Sequence, residues 1–210
     1  MFNIRVFAAM FFVLATLAVS AQKSQEQMRA EYLLYIVNQV EFPNEKDFKV
    51  FTIGVMGNEE GIFNELKKLS VDAKTPNGKS INIVRFDSLK HVDKVQMLYV
   101  NKAQGFDIGQ IILKLTGTKT LVVSENYEFQ KSMLNFVYVG GLLRFEINKA
   151  RIDNEGLYVK PLFAAKAVRS KADWEKLFLS TDKELEEEKL VVEEQKKMIE
   201  KLFFQISITY

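Results

Sequence analysis

The chain has 210 residues, 48% of them hydrophobic, and its 29 basic and 27 acidic side chains leave a formal net charge of +2. This near balance, without a basic block that contains aromatic residues, argues against a nucleic-acid partner. Cysteine is absent, which excludes disulfides, and about 150 residues can bury a core large enough to do without them.

The first residues have the pattern of an export signal. Arg5 precedes an apolar stretch from Val6 to Val19, and the small residues before the end of this region suit a signal peptidase. We predict a signal peptide over residues 1–21, cleavage after Ala21 and an exported mature protein. The alternative is an uncleaved membrane anchor, but the apolar stretch is shorter than the ~20 residues that cross a bilayer.

Helix and strand signals alternate along the mature chain. Ser24 can cap a helix whose apolar residues recur up to Val40, and Pro43 is expected to end it. Apolar residues at helical spacing begin again at Ile62 and at Ile108, and each series predicts a further helix. Short apolar runs predict buried strands over residues 50–56, 81–86, 95–100 and 120–124.

Residues 133–148 are the most informative stretch, because two runs with a two-residue period meet at Gly140–Gly141. The pattern predicts a β-hairpin, since glycine readily adopts the positive φ angles of tight hairpin turns. Asn148 then precedes a short helical segment, and Gly156 is placed to end it. Phe145 should lie in the core.

These elements together predict the fold class. Strands separated by helices form βαβ units with a parallel sheet, to which the hairpin adds an antiparallel pair. We therefore predict a mixed α/β domain over residues 22–169, with a largely parallel sheet, helices on both faces and a C-terminal antiparallel hairpin. Residues 170–210 contain no glycine or proline and predict a long C-terminal helix.

The C-terminal segment has one apolar row at seven-residue spacing, formed by Phe178, Leu185, Val192, Ile199 and Ile206. The second row of a coiled coil is poor, because Thr181, Glu188 and Gln195 occupy it. Three alternatives remain open. The helix pairs with a second copy in a homodimer, packs one stripe on the domain, or links the domain to a further module.

A set of motifs around the hairpin is similar to the signature of a known family. The strongest matches are Leu134–Val137, Gly141, Arg144–Asn148, Ala150 and Gly156–Leu157. Weaker matches follow upstream in family order, at Tyr32–Leu33, Phe42–Pro43, Phe51–Gly57, Met97–Val100 and Thr120–Ser124. The chain thus resembles the YfiR/HmsC-like family. It departs from many members in lacking cysteine and in having Phe42 where they have tryptophan.

The resemblance implies a periplasmic regulator. Family members of known role bind the periplasmic part of a membrane-bound diguanylate cyclase and hold it inactive, so that envelope stress controls cyclic di-GMP and biofilm formation. For this chain the resemblance implies signal transduction by contact with a membrane-bound signalling protein. The alternative is a periplasmic sensor that binds a small molecule and signals through the C-terminal helix.

The sequence lacks the residues of common catalytic sites. His91 is the single histidine, it lies in a polar loop, and no thiol or Gly-x-Ser-x-Gly motif accompanies it. One histidine without cysteine does not supply a zinc site. The glycines between Gly54 and Gly61 lack the spacing of a phosphate-binding loop. We therefore predict a non-enzyme without catalytic, cofactor-binding or metal-binding residues.

Two sets of binding residues are predicted. Asn58, Asn101 and Ser124 follow strands, and open α/β sheets bind ligands at the carboxyl ends of their strands, so this set can hold a small polar molecule. The alternative is that these strand ends are polar because they meet water. Arg144 and Glu146 share one side of a strand and can recognise a charged partner, or else they solvate the outer face of that strand.

Overall fold

The computed structural model describes residues 24–139, 142–168, 189–193 and 195–198. The predicted signal peptide, the Gly140–Gly141 turn and most of the predicted C-terminal helix lie outside these residues. Within the described part, no helix is long and apolar enough to span a bilayer.

The strands of the described residues are β1 (Val40–Glu41), β2 (Phe51–Met56), β3 (Ile81–Phe86), β4 (Met97–Asn101), β5 (Leu121–Glu125), β6 (Leu134–Val139), β7 (Leu142–Ile147) and β8 (Tyr158–Val159). The helices are α1 (Gln25–Val37), α2 (Glu60–Ser70), α3 (Ile108–Leu115), α4 (Lys149–Asn154) and α5 (Pro161–Ala164). Residues 189–193 and 195–198 are also helical, which confirms a C-terminal helix over that part of the segment.

The main sheet has six strands in the order β3-β2-β4-β5-β6-β7. Its first five strands in this order are parallel, and β7 runs antiparallel to β6 with Phe136 opposite Phe145. The predicted fold class is confirmed. A separate two-stranded sheet pairs β1 with β8.

The connections place helices on both faces of the main sheet. The chain crosses from β2 to β3 in one direction and from β4 to β5 in the other, so right-handed crossovers put α2 and α3 on opposite faces. Helix α1 packs beside α2, and its Tyr32 ring contacts Phe136 of β6 with ring centroids 6.0 Å apart. Strands β5 and β6 are joined only by the loop of residues 126–133, which is short for a parallel connection.

The helix ends follow the predicted caps. The Ser24 hydroxyl accepts a hydrogen bond from the backbone N–H of Gln27 at 3.1 Å, and the Asn148 side chain accepts one from Arg151 N at 3.2 Å. Gly156 has a φ of +71°, a left-handed conformation that suits glycine after a helix. The signals at these positions are local, which explains why they were readable from sequence.

Helix α1 is shorter than the sequence predicted. The apolar spacing predicted a helix that continues through Val40 towards Pro43, whereas α1 ends at Val37 and Val40 pairs with Val159. The backbone N–H of Lys160 donates to Gln39 O at 2.9 Å. Strand pairing with a distant segment therefore satisfies backbone groups that a longer helix would have used.

Candidate functional site

The carboxyl ends of β2 and β4 form the crevice where open α/β sheets usually bind ligands, because the strand order reverses there. In this protein Gln104 fills that position. Its side-chain oxygen accepts from Asn58 N at 2.9 Å, and its amide nitrogen donates to the Glu59 carboxylate at 3.1 Å. Gly57 has a φ of +81°, and a Cβ added to it would lie 2.7 Å from the Gln104 oxygen. The chain thus closes its own crevice.

The three predicted ligand-binding residues do not share one cleft. Asn58 is exposed beside Gln104, and Asn101 is 7% exposed, with its side chain accepting from Ala103 N at 3.0 Å. Ser124 is fully buried. In the register of β4 and β5, Ser124 lies opposite Val100 and not opposite Asn101, so its side chain points to the other face of the sheet. This geometry corrects the prediction for Ser124.

A charged network lies between α1 and the sheet. The Arg29 guanidinium donates to both oxygens of the Glu125 carboxylate at 2.9 and 3.1 Å, and to Glu26 at 3.2 Å. The Tyr99 hydroxyl also donates to Glu125. Arg29 and Glu125 are 7% and 3% exposed, so removing one partner would leave a buried charge without compensation. The network fixes α1 on the sheet.

Burial and charge alter the pKa values in this network. Burial alone would lower the pKa of Arg29, but its neighbours Tyr99 and Glu125 raise it above its ordinary value. The pKa of Tyr99 is raised by burial and by the adjacent Glu125 carboxylate, and the pKa of Tyr138 is raised by burial as well. Over the ordinary pH range Arg29 therefore stays cationic, and Tyr99 and Tyr138 stay neutral.

A second polar network lies on the opposite face, along one row of the sheet. Ser124, Asn135 and Glu146 are opposite one another in β5, β6 and β7. The Ser124 hydroxyl donates to Asn135 at 2.8 Å, and the Asn135 amide donates to Glu146 at 3.1 Å. Glu146 also accepts from Gln130 N at 3.1 Å. This row positions the loop that joins β5 to β6.

The two predicted partner-binding residues lie in different surroundings. Arg144 is exposed, while Glu146 is 2% exposed and belongs to the buried row just described. The expectation that both side chains solvate the outer face of the strand is therefore corrected for Glu146. The signal that misled the prediction is the simple two-residue period, which does not reveal the loop that covers this face.

An open groove lies at the other side of β7, and we name it the aromatic groove. It has a volume of about 330 Å³ and is lined by Glu31, Tyr32, Tyr35, Phe145, Phe163 and Lys166. Its floor is rigid, because Phe145 and Phe163 are buried and stack with ring centroids 4.7 Å apart. Its rim is accessible, because Tyr35 is 41% exposed and Lys166 is also exposed. Leu162, which precedes Phe163 in α5, is 83% exposed.

Two larger cavities lie at the amino ends of the strands, opposite the crevice that Gln104 closes. They measure about 610 and 380 Å³ and are lined by residues that precede the strands, among them Phe48, Gln96 and Thr120 in the first and Phe42 and Thr75 in the second. Ligands of open α/β sheets usually bind at the carboxyl ends of strands rather than here. The aromatic groove is the stronger candidate for recognition because stacked buried rings form its floor and an exposed tyrosine lies at its rim.

The described residues offer little material for catalysis. They contain no group of three or more His, Asp or Glu side chains that could hold a metal ion. His91 is exposed on a short 3₁₀ turn, where its ring nitrogen lies 3.4 Å from the Ser88 hydroxyl oxygen. This is the surface position expected from the polar loop around it.

Fold and site together define an α/β domain with an accessible aromatic groove beside the edge strand β7. A family model described as YfiR/HmsC-like matches residues 26–162, which is more than half of the chain. The chain therefore belongs to the YfiR/HmsC-like family, a family of periplasmic regulators, and the resemblance inferred from sequence is confirmed.

Other comparisons add less. A solved structure similar to the chain is a conserved domain protein from Vibrio cholerae O1 biovar El Tor strain N16961, with 15% identity and a TM-score of 0.43. The similarity covers 70% of this chain and 60% of that chain, so the chain spans about three fifths of that protein's length. No curated protein matches the sequence.

Proposed function

We propose that the protein is an exported regulator that restrains a membrane-bound signalling protein, such as a diguanylate cyclase, through contact in the periplasm. The observation that carries this proposal is the match of residues 26–162 to a family of periplasmic regulators. A cleaved signal peptide over residues 1–21 would deliver the chain to that compartment. Its regulatory action would require contact and no chemistry.

The aromatic groove supports a contact surface. Interface energy is usually concentrated in a few aromatic and aliphatic side chains that sit in well-packed surroundings. Here the buried pair Phe145 and Phe163 forms a preorganised floor, Tyr35 is exposed at the rim, and Leu162 is an exposed apolar side chain next to Phe163 in α5. Glu31 and Lys166 both line the groove, so its charged side chains are of both signs. We therefore expect a partner that presents an apolar or aromatic side chain to the groove.

A binding experiment tests the proposal. The mature chain, residues 22–210, is titrated with the purified periplasmic segment of a membrane-bound diguanylate cyclase from the same organism, by isothermal titration calorimetry. We expect saturable binding that weakens at least tenfold in Tyr35→Ala, because Tyr35 lines the groove, and in Leu162→Asp, because Leu162 is the exposed apolar side chain next to Phe163.

Leu113→Asp is the matched control. Leu113 is 77% exposed on α3, on the opposite face of the sheet, so this variant introduces the same charge at an equally accessible position. It should bind like the wild type. Equal weakening in Leu113→Asp and Leu162→Asp would remove the groove from the proposal, and absence of binding by the wild type would contradict restraint by contact.

A second candidate function is a small-molecule sensor that signals through the C-terminal helix. The specific observation in its favour is the volume of the aromatic groove, about 330 Å³, which lies at the lower end of the range for small-molecule sites. A ligand that binds the folded state raises the melting temperature. Thermal shift against a library of polar and aromatic metabolites tests this candidate, and loss of the shift in Tyr35→Ala would locate the site.

A further inference from the structure

The cavity of about 610 Å³ at the amino ends of the strands, which we name the amino-end cavity, has the size of a small-molecule site. Its lining comes from the residues that precede three strands. Asp47 and Phe48 precede β2, Asp93 and Lys94 precede β4, and Lys114 lies at the end of α3, which leads into β5. Strand β4 lies between β2 and β5 in the sheet, so the cavity extends across all three strand ends.

Hydrogen bonds between the strands hold the lining of the amino-end cavity in place. The side-chain oxygen of Gln96 accepts from Thr52 N of β2 at 2.7 Å, and Gln96 N donates to Thr52 O at 3.0 Å. On the other side, the Thr120 hydroxyl donates to Val95 O at 2.7 Å, and Leu121 N donates to Gln96 O at 2.9 Å. The lining is therefore preorganised, which lowers the cost of ordering it around a ligand.

Two side-chain amides in the lining have unused hydrogen-bonding capacity. The Gln96 amide nitrogen donates to no described residue, and the Asn44 side-chain oxygen is buried without a partner among the described residues. Buried acceptors without a partner are rare in folded proteins. Rotation about the Asn44 Cβ–Cγ bond would turn this oxygen towards a donor in the cavity. A ligand that carries both N–H donors and carbonyl acceptors would use both amides.

The charged side chains of the lining differ from one end to the other. Asp47, Asp93, Lys94 and Lys114 are all exposed, and none of them forms an ion pair with another described residue. The strand order puts Asp47 on the β2 side and Lys114 on the β5 side, with Asp93 and Lys94 between them. This arrangement is complementary to a ligand with a positive charge at one end and a negative charge at the other.

The separation of the two ends indicates the length of such a ligand. Neighbouring strands lie about 4.8 Å apart, so β2 and β5 are about 10 Å apart. An extended peptide spans about 3.3 to 3.6 Å per residue, so three residues separate the terminal charges by about 10 Å. A free amino acid carries both charges on adjacent groups and is too short. We propose that the amino-end cavity binds a short peptide with free termini, its ammonium group at Asp47 and its carboxylate at Lys114.

The apolar part of the lining completes the site. Val50 is 41% exposed and Phe48 is half-buried, and both follow Asp47 closely in the chain. An apolar side chain of the peptide would cover them and gain the free energy of apolar burial. This inference does not depend on the proposed function, because the amino-end cavity and the aromatic groove share no lining residue.

Isothermal titration calorimetry of the mature chain, residues 22–210, with the tripeptide alanyl-leucyl-alanine tests the proposal. We expect saturable binding. The tripeptide with an acetylated N-terminus, the tripeptide with an amidated C-terminus, and free leucine should each bind at least about tenfold more weakly, because each lacks one terminal charge or the required length. Absence of saturable binding by the free tripeptide, or binding that neither cap weakens, would overturn the proposal.

Charge variants test the orientation of the peptide. Asp47→Asn and Lys114→Gln should each weaken binding of the free tripeptide about tenfold, whereas the exposed residues outside the cavity, changed in Asp72→Asn and Lys68→Gln, should have no effect. Asp47→Asn should not weaken the acetylated peptide further, and Lys114→Gln should not weaken the amidated peptide further, because the paired charge is already absent. The reverse pattern would place the termini at the opposite ends and overturn the proposal.

Two further measurements separate binding from folding and from the other groove. Asp47→Asn and Lys114→Gln should keep the wild-type melting temperature, because both side chains are exposed and form no ion pair with a described residue. Tyr35→Ala, in the aromatic groove, should bind the tripeptide like the wild type. Weakened tripeptide binding in Tyr35→Ala, with unchanged binding in Asp47→Asn and Lys114→Gln, would exclude the amino-end cavity as the peptide site.

Discussion

The crevice between β2 and β4 and the aromatic groove beside β7 are two concave regions of one sheet with opposite character. General topology favours the crevice as a ligand site, yet Gln104 closes it with hydrogen bonds to Asn58 N and the Glu59 carboxylate. The aromatic groove does not lie at the carboxyl ends of the parallel strands, yet it combines a floor of buried rings with an exposed rim. In this protein the usual ligand position is closed by a side chain of the chain itself, and an accessible groove lies elsewhere on the sheet.

Stability should depend most strongly on the floor of the aromatic groove. Phe145→Ala removes a buried ring that stacks on Phe163, and we expect a loss of about 3 to 5 kcal/mol in the free energy of unfolding. Leu142→Ala, on the same strand but 53% exposed, should change it by less than about 0.5 kcal/mol. Urea denaturation measures both. Similar losses in the two variants would mean that the floor is not preorganised.

The charged network between α1 and the sheet should also contribute to stability. Helix α1 forms one wall of the aromatic groove. Glu125→Gln leaves the buried Arg29 charge with only Glu26, so we expect a loss of about 3 kcal/mol, the lower end for a broken buried pair. Glu128→Gln breaks the exposed pair with Lys102 and should leave the melting temperature essentially unchanged. A Glu125→Gln variant as stable as Glu128→Gln would show that the buried network does not hold α1.

A smaller effect is expected at the closed crevice. Gln104→Ala removes two side-chain hydrogen bonds, and we expect a loss of about 1 to 2 kcal/mol, measured by urea denaturation. Gln110→Ala, at an exposed position of α3, is the control and should be near neutral. No loss in Gln104→Ala would indicate that Gln104 does not close the crevice in solution, and would make that crevice a candidate ligand site again.

The smallest effect is a pH dependence of stability. The pKa of Tyr99 is raised in the folded protein by burial and by Glu125, so the unfolded chain releases this proton first, near its ordinary pKa of 10.0. The contribution is complete below pH 10 and is lost as pH rises, with a slope of at most about 1.4 kcal/mol per pH unit. Burial also raises the pKa of Tyr127 to about 12, which adds to the slope.

Thermal unfolding between pH 8 and 11 tests this sign. The melting temperature of the wild type should fall above pH 10, and Tyr99→Phe should show a shallower fall because it has no proton to release. A wild-type stability that rises above pH 10, or an unchanged slope in Tyr99→Phe, would show that Tyr99 is not held in its protonated form by the fold.

Local signals predicted most of the architecture. The caps at Ser24 and Asn148, the alternation in the hairpin and the short apolar strands each depend on residues close in sequence, and the structure confirms them. The end of α1 was misread because β1 pairs with β8, far along the chain. Periodicity within one segment does not reveal such a pairing.

The candidate site was much less predictable for the same physical reason. Arg29 and Glu125 are 96 residues apart in sequence, and the aromatic groove combines residues of α1, β7 and α5. Ser124 and Glu146 looked like strand-end and surface residues, because sequence does not show that the loop of residues 126–133 folds over them. Sites formed by distant segments become visible only when the sheet order is known.

Restraint of a membrane-bound signalling protein by contact at the aromatic groove would be visible as a change in enzyme activity. Purified mature chain is added to the periplasmic side of membrane vesicles that carry a diguanylate cyclase of the same organism, and cyclic di-GMP synthesis is measured. We predict that the wild type and Leu113→Asp reduce synthesis and that Leu162→Asp does not. Synthesis that is unaffected by the wild type would contradict restraint by contact, and synthesis reduced equally by all three proteins would exclude the aromatic groove as the contact surface.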